Sequence, residues 1–143
     1  MTATIVVGYD GHPASGRALD RAIEEAKRVD ASILVVVVVP AIDADVPSYL
    51  DPRPPEDIAR PEPPEIEPLV EAARERVEAA GIPFDYLWYE GDPARTIADA
   101  ARDAQATTIV IGRHEHTRFQ RFLGEDVDAE VQKHSDANVI LVD

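Results

Sequence analysis

The chain has 143 residues, 45% of them apolar, enough for one core of ordinary domain size. Its 28 acidic and 14 basic residues give a formal charge of −14, which repels nucleic-acid phosphates and argues against DNA or RNA as a partner. It has no cysteine, which excludes disulfides, thiolate-held metals and thiol catalysis, and its longest apolar run, Ile33 to Val39, falls far short of the roughly 20 residues that span a bilayer.

The N-terminus runs into a strand-like segment from Thr4 without a secretory pattern, so a cytoplasmic protein with no membrane association is expected. All basic residues except Lys27 and Lys133 are Arg. Beside the acid excess, this points to a halophilic protein, working in salt that screens its self-repulsion.

Thr4 to Tyr9 and Ile33 to Val39 are β-branched runs without alternation, the pattern of central parallel strands covered on both faces. Between them Leu19, Ala22, Ile23, Ala26 and Val29 recur at helical spacing, opposite Asp20, Arg21, Glu24, Glu25, Lys27 and Arg28. This is an amphipathic crossover helix. The segment from Pro40 to Pro68 holds most of the twelve prolines and many acids, and only scattered apolar residues, Ile66 among them. It reads as a long loop or flap, not a second domain, so residues 1–143 are expected to form a single domain with a Pro-rich loop at about 40–68.

Leu69 to Ala80 places Val70, Ala73, Val77 and Ala80 on one face and stops before Gly81, a suitable residue just beyond a helix end. Phe84 to Tyr89 is a third strand. Asp92-Pro93 is an N-cap and first-turn proline opening a helix with Ile97, Ala101 and Ala104 inward. Thr107 to Ile111 and Asn138 to Val142 complete the strands, with a last helix between them at Asp126 to His134. Five strands alternating with four helices predict an α/β fold, a five-stranded parallel sheet wound on both faces. Ligands of such sheets bind beyond the carboxyl ends of the strands, which selects the loops after Tyr9, Val39, Tyr89 and Ile111.

After the first strand, Gly8-Tyr9-Asp10-Gly11-His12-Pro13-Ala14-Ser15-Gly16 lacks the G-x-G-x-x-G spacing of a dinucleotide fingerprint, and no Walker loop is present. The second strand ends at Pro40 instead of an acid that grips a ribose. The acids and lysine of a phosphoacceptor receiver domain do not fall at the required places either.

The chain resembles the universal stress protein family over nearly its whole length. The resemblance rests on Ile5-Val6-Val7-Gly8-Tyr9-Asp10-Gly11 with Ser15-Gly16-Arg17-Ala18-Leu19, on Gly91-Asp92-Pro93-Ala94 leading to Thr108-Ile109-Val110-Ile111-Gly112, and on Val127 to Val131 followed by Val139-Ile140-Leu141-Val142. It implies a Rossmann-like sheet, a role in stress response and a homodimer joined through the last strand. It also implies that Asp10, Val38, Ile111 and Gly112 match positions that contact adenosine in nucleotide-binding relatives. In any such sheet Val38 and Ile111 are core residues, and Asp10 also suits fixing the turn after the first strand.

Members that hold ATP carry Gly-x-x-Gly and, further on, Gly-Ser or Gly-Thr after the fourth strand. Gly112 matches the first glycine, but the same ungapped register puts Glu115, Glu125 and Asp126 at the second glycine, the third glycine and the hydroxyl. Gly124 reaches the third position only with a one-residue deletion. Carboxylates add bulk and a charge of the phosphate's own sign, and Glu125, Asp126 and Asp128 can satisfy the start of the last helix from within the chain. Arg113, His114, Arg118 and Arg121 lie nearby, either as phosphate partners or as ion partners of the surrounding acids.

No metal is expected. His114-Glu115-His116 with Glu125 or Asp126 offers a zinc or nickel alternative, but local spacing fixes no third ligand. His12 and His134 stand apart from any Ser/His/Asp set. The expected function is that of a non-catalytic stress-response protein, acting as a homodimer on an unidentified protein partner without a cofactor. The alternative is a nucleotide-gated member that binds ATP with weak or no ATPase activity.

The charge makes a direct prediction. If the excess carboxylates face water, the melting temperature should climb as potassium chloride is raised from about 0.1 to 1 M and the Debye length falls from about 10 Å to about 3 Å. A flat profile in a salt-dependent melting series would remove the halophile argument.

Overall fold

The computed structural model describes residues 3–39, 62–91, 93–112 and 137–142. Strands β1 (Ala3–Gly8), β2 (Ala31–Val39), β3 (Phe84–Glu90), β4 (Thr108–Gly112) and β5 (Asn138–Val142) form one parallel sheet in the order β3-β2-β1-β4-β5. Helices α1 (Pro13–Val29), α2 (Ile66–Ala79) and α3 (Pro93–Asp103) alternate with the strands. The doubly wound α/β fold read from the sequence is therefore the fold observed. The expected helix at Asp126 to His134, the expected N-cap Asp92 and the excursion as far as residue 61 lie outside the described residues.

The continuous apolar runs follow from burial on both faces. In β2, Ile33, Val35, Val37 and Val39 face α1 and α2, while Leu34, Val36 and Val38 face α3. In β1, Ile5 and Val7 join the first layer and Val6 the second. Each fully buried aliphatic side chain contributes about 1.5–3 kcal/mol, so the two layers, rather than intrinsic strand propensity, hold the sheet.

Two features differ from the sequence pattern. The apolar spacing of α1 extends to Val29, but the helix stops there and the chain reverses through Asp30 (φ 58°), leaving Val29 42% exposed. Conversely, α2 begins inside the stretch expected to be loop. Ile66 is fully buried at its first turn, with its N–H donating to the Pro63 carbonyl at 3.1 Å. Pro68 is compatible with this start, because a first-turn residue has no intrahelical acceptor for its N–H. The other end of α2 follows expectation: Gly81 (φ 75°) donates to Glu78 O at 2.9 Å and Ile82 to Val77 O at 3.3 Å, a Schellman closure.

These placements predict opposite outcomes for two superficially similar substitutions. Ile66→Ala should lower unfolding free energy by about 2–5 kcal/mol through lost burial and a cavity. Val29→Ala should change it by no more than about 0.5 kcal/mol. Urea denaturation of both variants checks the pair.

Candidate functional site

The strand order reverses between β1 and β4, so the crevice of this sheet lies where the chain leaves Gly8 and Gly112. On the β1 side, Tyr9 N–H still donates to Val36 O at 3.1 Å, and Asp10 begins a turn. Asp10 Oδ1 accepts the His12 backbone N–H at 3.0 Å and lies 3.2 Å from His12 Nδ1, an Asx turn that carries the chain into α1. Gly11 is required inside this turn. Its φ is 82°, and an added Cβ would strike Leu69 Cδ2 of α2 at 2.5 Å.

Ser15 completes the arrangement. It is 5% exposed, accepts the Asp10 N–H at 3.3 Å and donates to His12 O at 2.9 Å, which also accepts Gly16 N–H at 3.1 Å. One hydroxyl therefore ties the end of β1 to the first turn of α1. His12 makes no side-chain cap, and Pro13 at the first turn needs no acceptor.

On the β4 side, Gly112 meets the same helix start. A Cβ on Gly112 would collide with the Ala14 carbonyl and approach Ser15 N to 2.7 Å. These obstacles are backbone and cannot rotate away. Sequence reading assigned Gly112 to a nucleotide signature, but the structure shows a packing requirement that holds with or without a ligand. Gly8 is a milder case, its Cβ meeting only the flexible Ile97 Cδ1 at 3.0 Å.

The structure brings four of the seven candidate site positions to this end of the sheet. Asp10 heads the β1 turn, Gly112 ends β4, and Val38 and Ile111 share the α3-facing layer. Val38 and Ile111 are both buried, Ile111 being 1% exposed. Glu115, Glu125 and Asp126 lie outside the described residues, as do His114, His116, Arg113, Arg118 and Arg121. Among the described residues no group of three or more His, Asp or Glu side chains is placed to hold a metal, and no helix is long and apolar enough to cross a membrane. Sequence reasoning missed the coupling of Gly11 to Leu69 and the buried role of Ser15. The Asp-Gly-His-Pro run signals the turn, but nothing local shows which helix packs on it.

A parallel sheet with its crevice at a β1/β4 reversal and a helix start pinned to both strands defines a doubly wound α/β protein. The model of the universal stress protein family matches residues 1–143, and the chain belongs to that family. It is 30% identical over 159 residues to the stress response protein NhaX of Bacillus subtilis strain 168, covering 96% of each chain. Its fold is similar to a universal stress protein solved in complex with cAMP (TM-score 0.66, 24% identity, 99% of this chain and 96% of that one). It is also similar to the Archaeoglobus fulgidus protein solved in complex with dAMP (TM-score 0.65, 21% identity, 100% and 98%).

The backbone contact predicts that Gly112→Ala destabilises the protein by about 1–3 kcal/mol, because the first turn of α1 must move. Gly8→Ala should be tolerated better, since only the end of a side chain must yield. Thermal unfolding of the two variants side by side distinguishes a packing glycine from one whose role is confined to ligand contact.

Proposed function

We propose that this universal stress protein is a non-catalytic stress-response protein, acting as a homodimer on a protein partner, whose crevice does not accept the triphosphate of ATP. The observation that carries the reading is the replacement of the phosphate signature by Glu115, Glu125 and Asp126 in a chain of net charge −14. Asp10, Gly112 and the first turn of α1 give the crevice a fixed frame. The acids would oppose an incoming polyanion at the place where relatives that hold ATP present glycine and hydroxyl groups.

The homodimer reading is supported by β5. It pairs with β4 on one side and ends the sheet among the described residues, and Val139, Ile140, Leu141 and Val142 are only half-buried in the single chain. An apolar edge strand of this kind favours pairing across a two-fold axis. Light scattering in molar potassium chloride should give twice the chain mass, and a monomer across micromolar concentrations would contradict it.

A second reading, nucleotide gating, draws support from the relatives solved with cAMP and dAMP and from the placement of Asp10, Val38, Ile111 and Gly112. Calorimetric titration with magnesium and ATP in molar potassium chloride separates the two. The wild type should show no saturable heat, whereas Glu115→Gly, Glu125→Gly and Asp126→Ser combined should create it, each recovered charge-assisted hydrogen bond being worth about 1.5–3 kcal/mol. Tight binding by the wild type would favour the gated reading.

A further inference from the structure

At the opposite edge of the sheet lies β3, with no further strand beside it among the described residues. The bonds Ile33 N–H to Pro83 O (3.0 Å) and Gly91 N–H to Val39 O (3.1 Å) fix the phase of the parallel ladder between β2 and β3. Odd-numbered residues of β3 face β2, and the main-chain groups of Phe84, Tyr86 and Trp88 point outward. No strand lies beyond them among the described residues.

This edge is uneven in chemistry. Phe84, Tyr86 and Trp88 lie half-buried along the α2 side, and Leu87, 38% exposed, lies on the other. Asp85 accepts the outward Tyr86 N–H at 2.8 Å, so an acid guards the edge. Glu62 accepts the Tyr86 hydroxyl at 3.3 Å, and its charge, more than burial, raises the Tyr86 pKa above the usual phenol value. On the opposite face burial raises the Tyr89 phenol as well, with Asp103 and Asp99 beside it adding to the effect. Arg74 lies over the Phe84 ring at 5.4 Å, but it is also paired with Glu71 at 3.3 Å.

We propose that the β3 edge accepts an extended basic segment of a partner protein, which adds as a sixth strand and sets its Lys and Arg side chains against Glu62, Asp85 and the aromatic row. The charge selects this occupant. A second copy would bring another −14 and oppose acid with acid, whereas a basic strand gains attraction, stacking on the aromatic faces and main-chain bonds to Phe84 and Trp88. This names the kind of partner on which the proposed function acts, and it uses an edge remote from β5 and from the crevice.

The probe is the peptide acetyl-Lys-Arg-Val-Lys-Arg-Val-Lys-amide, whose basic side chains fall on both faces of a strand, with a Glu-for-Lys/Arg version as control, titrated into the full chain. Trp88 is the chain's single tryptophan, so its fluorescence reports on this edge directly. The basic peptide should shift that emission saturably and slow amide exchange at Phe84 and Trp88 at least tenfold, leaving Leu87 unchanged. The acidic peptide should do neither. Phe84→Pro removes an outward N–H without touching the β2 ladder and should weaken binding about tenfold relative to Phe84→Val. Asp85→Lys, which reverses the charge at the edge and also gives up the bond to the Tyr86 N–H, should weaken it comparably.

No saturable shift, equal affinity of the Pro and Val variants, or unchanged affinity of Asp85→Lys would overturn the proposal. Protection of Phe84 and Trp88 before peptide is added would overturn it too. Protection that grows with protein concentration would identify a second copy as the occupant, and protection independent of concentration would identify the chain itself. Neither ATP binding nor dimerisation through β5 enters these readouts, so their failure is distinguishable from failure of the proposed function.

Discussion

The close passage of the first turn of α1 over the end of β4 is the constraint on which the rest depends. Gly112 has no room for a side chain because the Ala14 carbonyl and Ser15 nitrogen occupy that space. Ser15, held there, ties Asp10 to His12 through its hydroxyl and so fixes the exit from β1. Two adjacent strands, one helix start and one turn become a single unit. Leu69 against Gly11 extends it to α2, so the crevice end of the sheet is built from backbone proximity and one buried hydroxyl. Such a frame needs no ligand to hold it together, which leaves the chemistry of the residues around it to decide what enters.

Charge supplies the second constraint. On the helix faces the arginines are largely committed to nearby acids: Arg28 and Arg21 to Glu25, Arg76 to Asp20, Arg102 and Arg95 to Asp99. The Arg28 hydrogen bond holds the Glu25 carboxyl below its ordinary pKa. Exposed pairs of this sort are worth roughly 0–1 kcal/mol each and do not neutralise an excess of 14 negative charges. Solvent cations must do so, and the same excess favours basic partners over polyanions.

The layered fold was legible because strands covered on both faces write themselves as unbroken apolar runs, seen in Val6-Val7 and Ile33 to Val39, while helices keep a 3.6-residue spacing. Legibility failed where tertiary contacts overrule local pattern. Ile66 sits among prolines and acids and reads as loop, yet the core draws it in completely. Val29 keeps the helical spacing, but the chain turns away at Asp30. The candidate site was legible to a similar degree. Asp10 and Gly112 fall where the reversal of strand order places the crevice, but the reason Gly112 must be glycine is a contact with residues almost a hundred positions earlier. No local signal encodes that distance.

On the proposed reading, the crevice end framed by Asp10, Ser15 and Gly112 is closed to triphosphates by Glu115, Glu125 and Asp126, which follow it in sequence. That reading is tested most directly by a crystal structure of the protein grown from molar potassium chloride with saturating magnesium and ATP. Gly112 should still pack against Ala14 and Ser15, and no ordered triphosphate should lie beyond it. An ordered chain of three phosphates beyond Gly112, held by main-chain groups or through a cation bridging Glu115, Glu125 or Asp126, would overturn that reading.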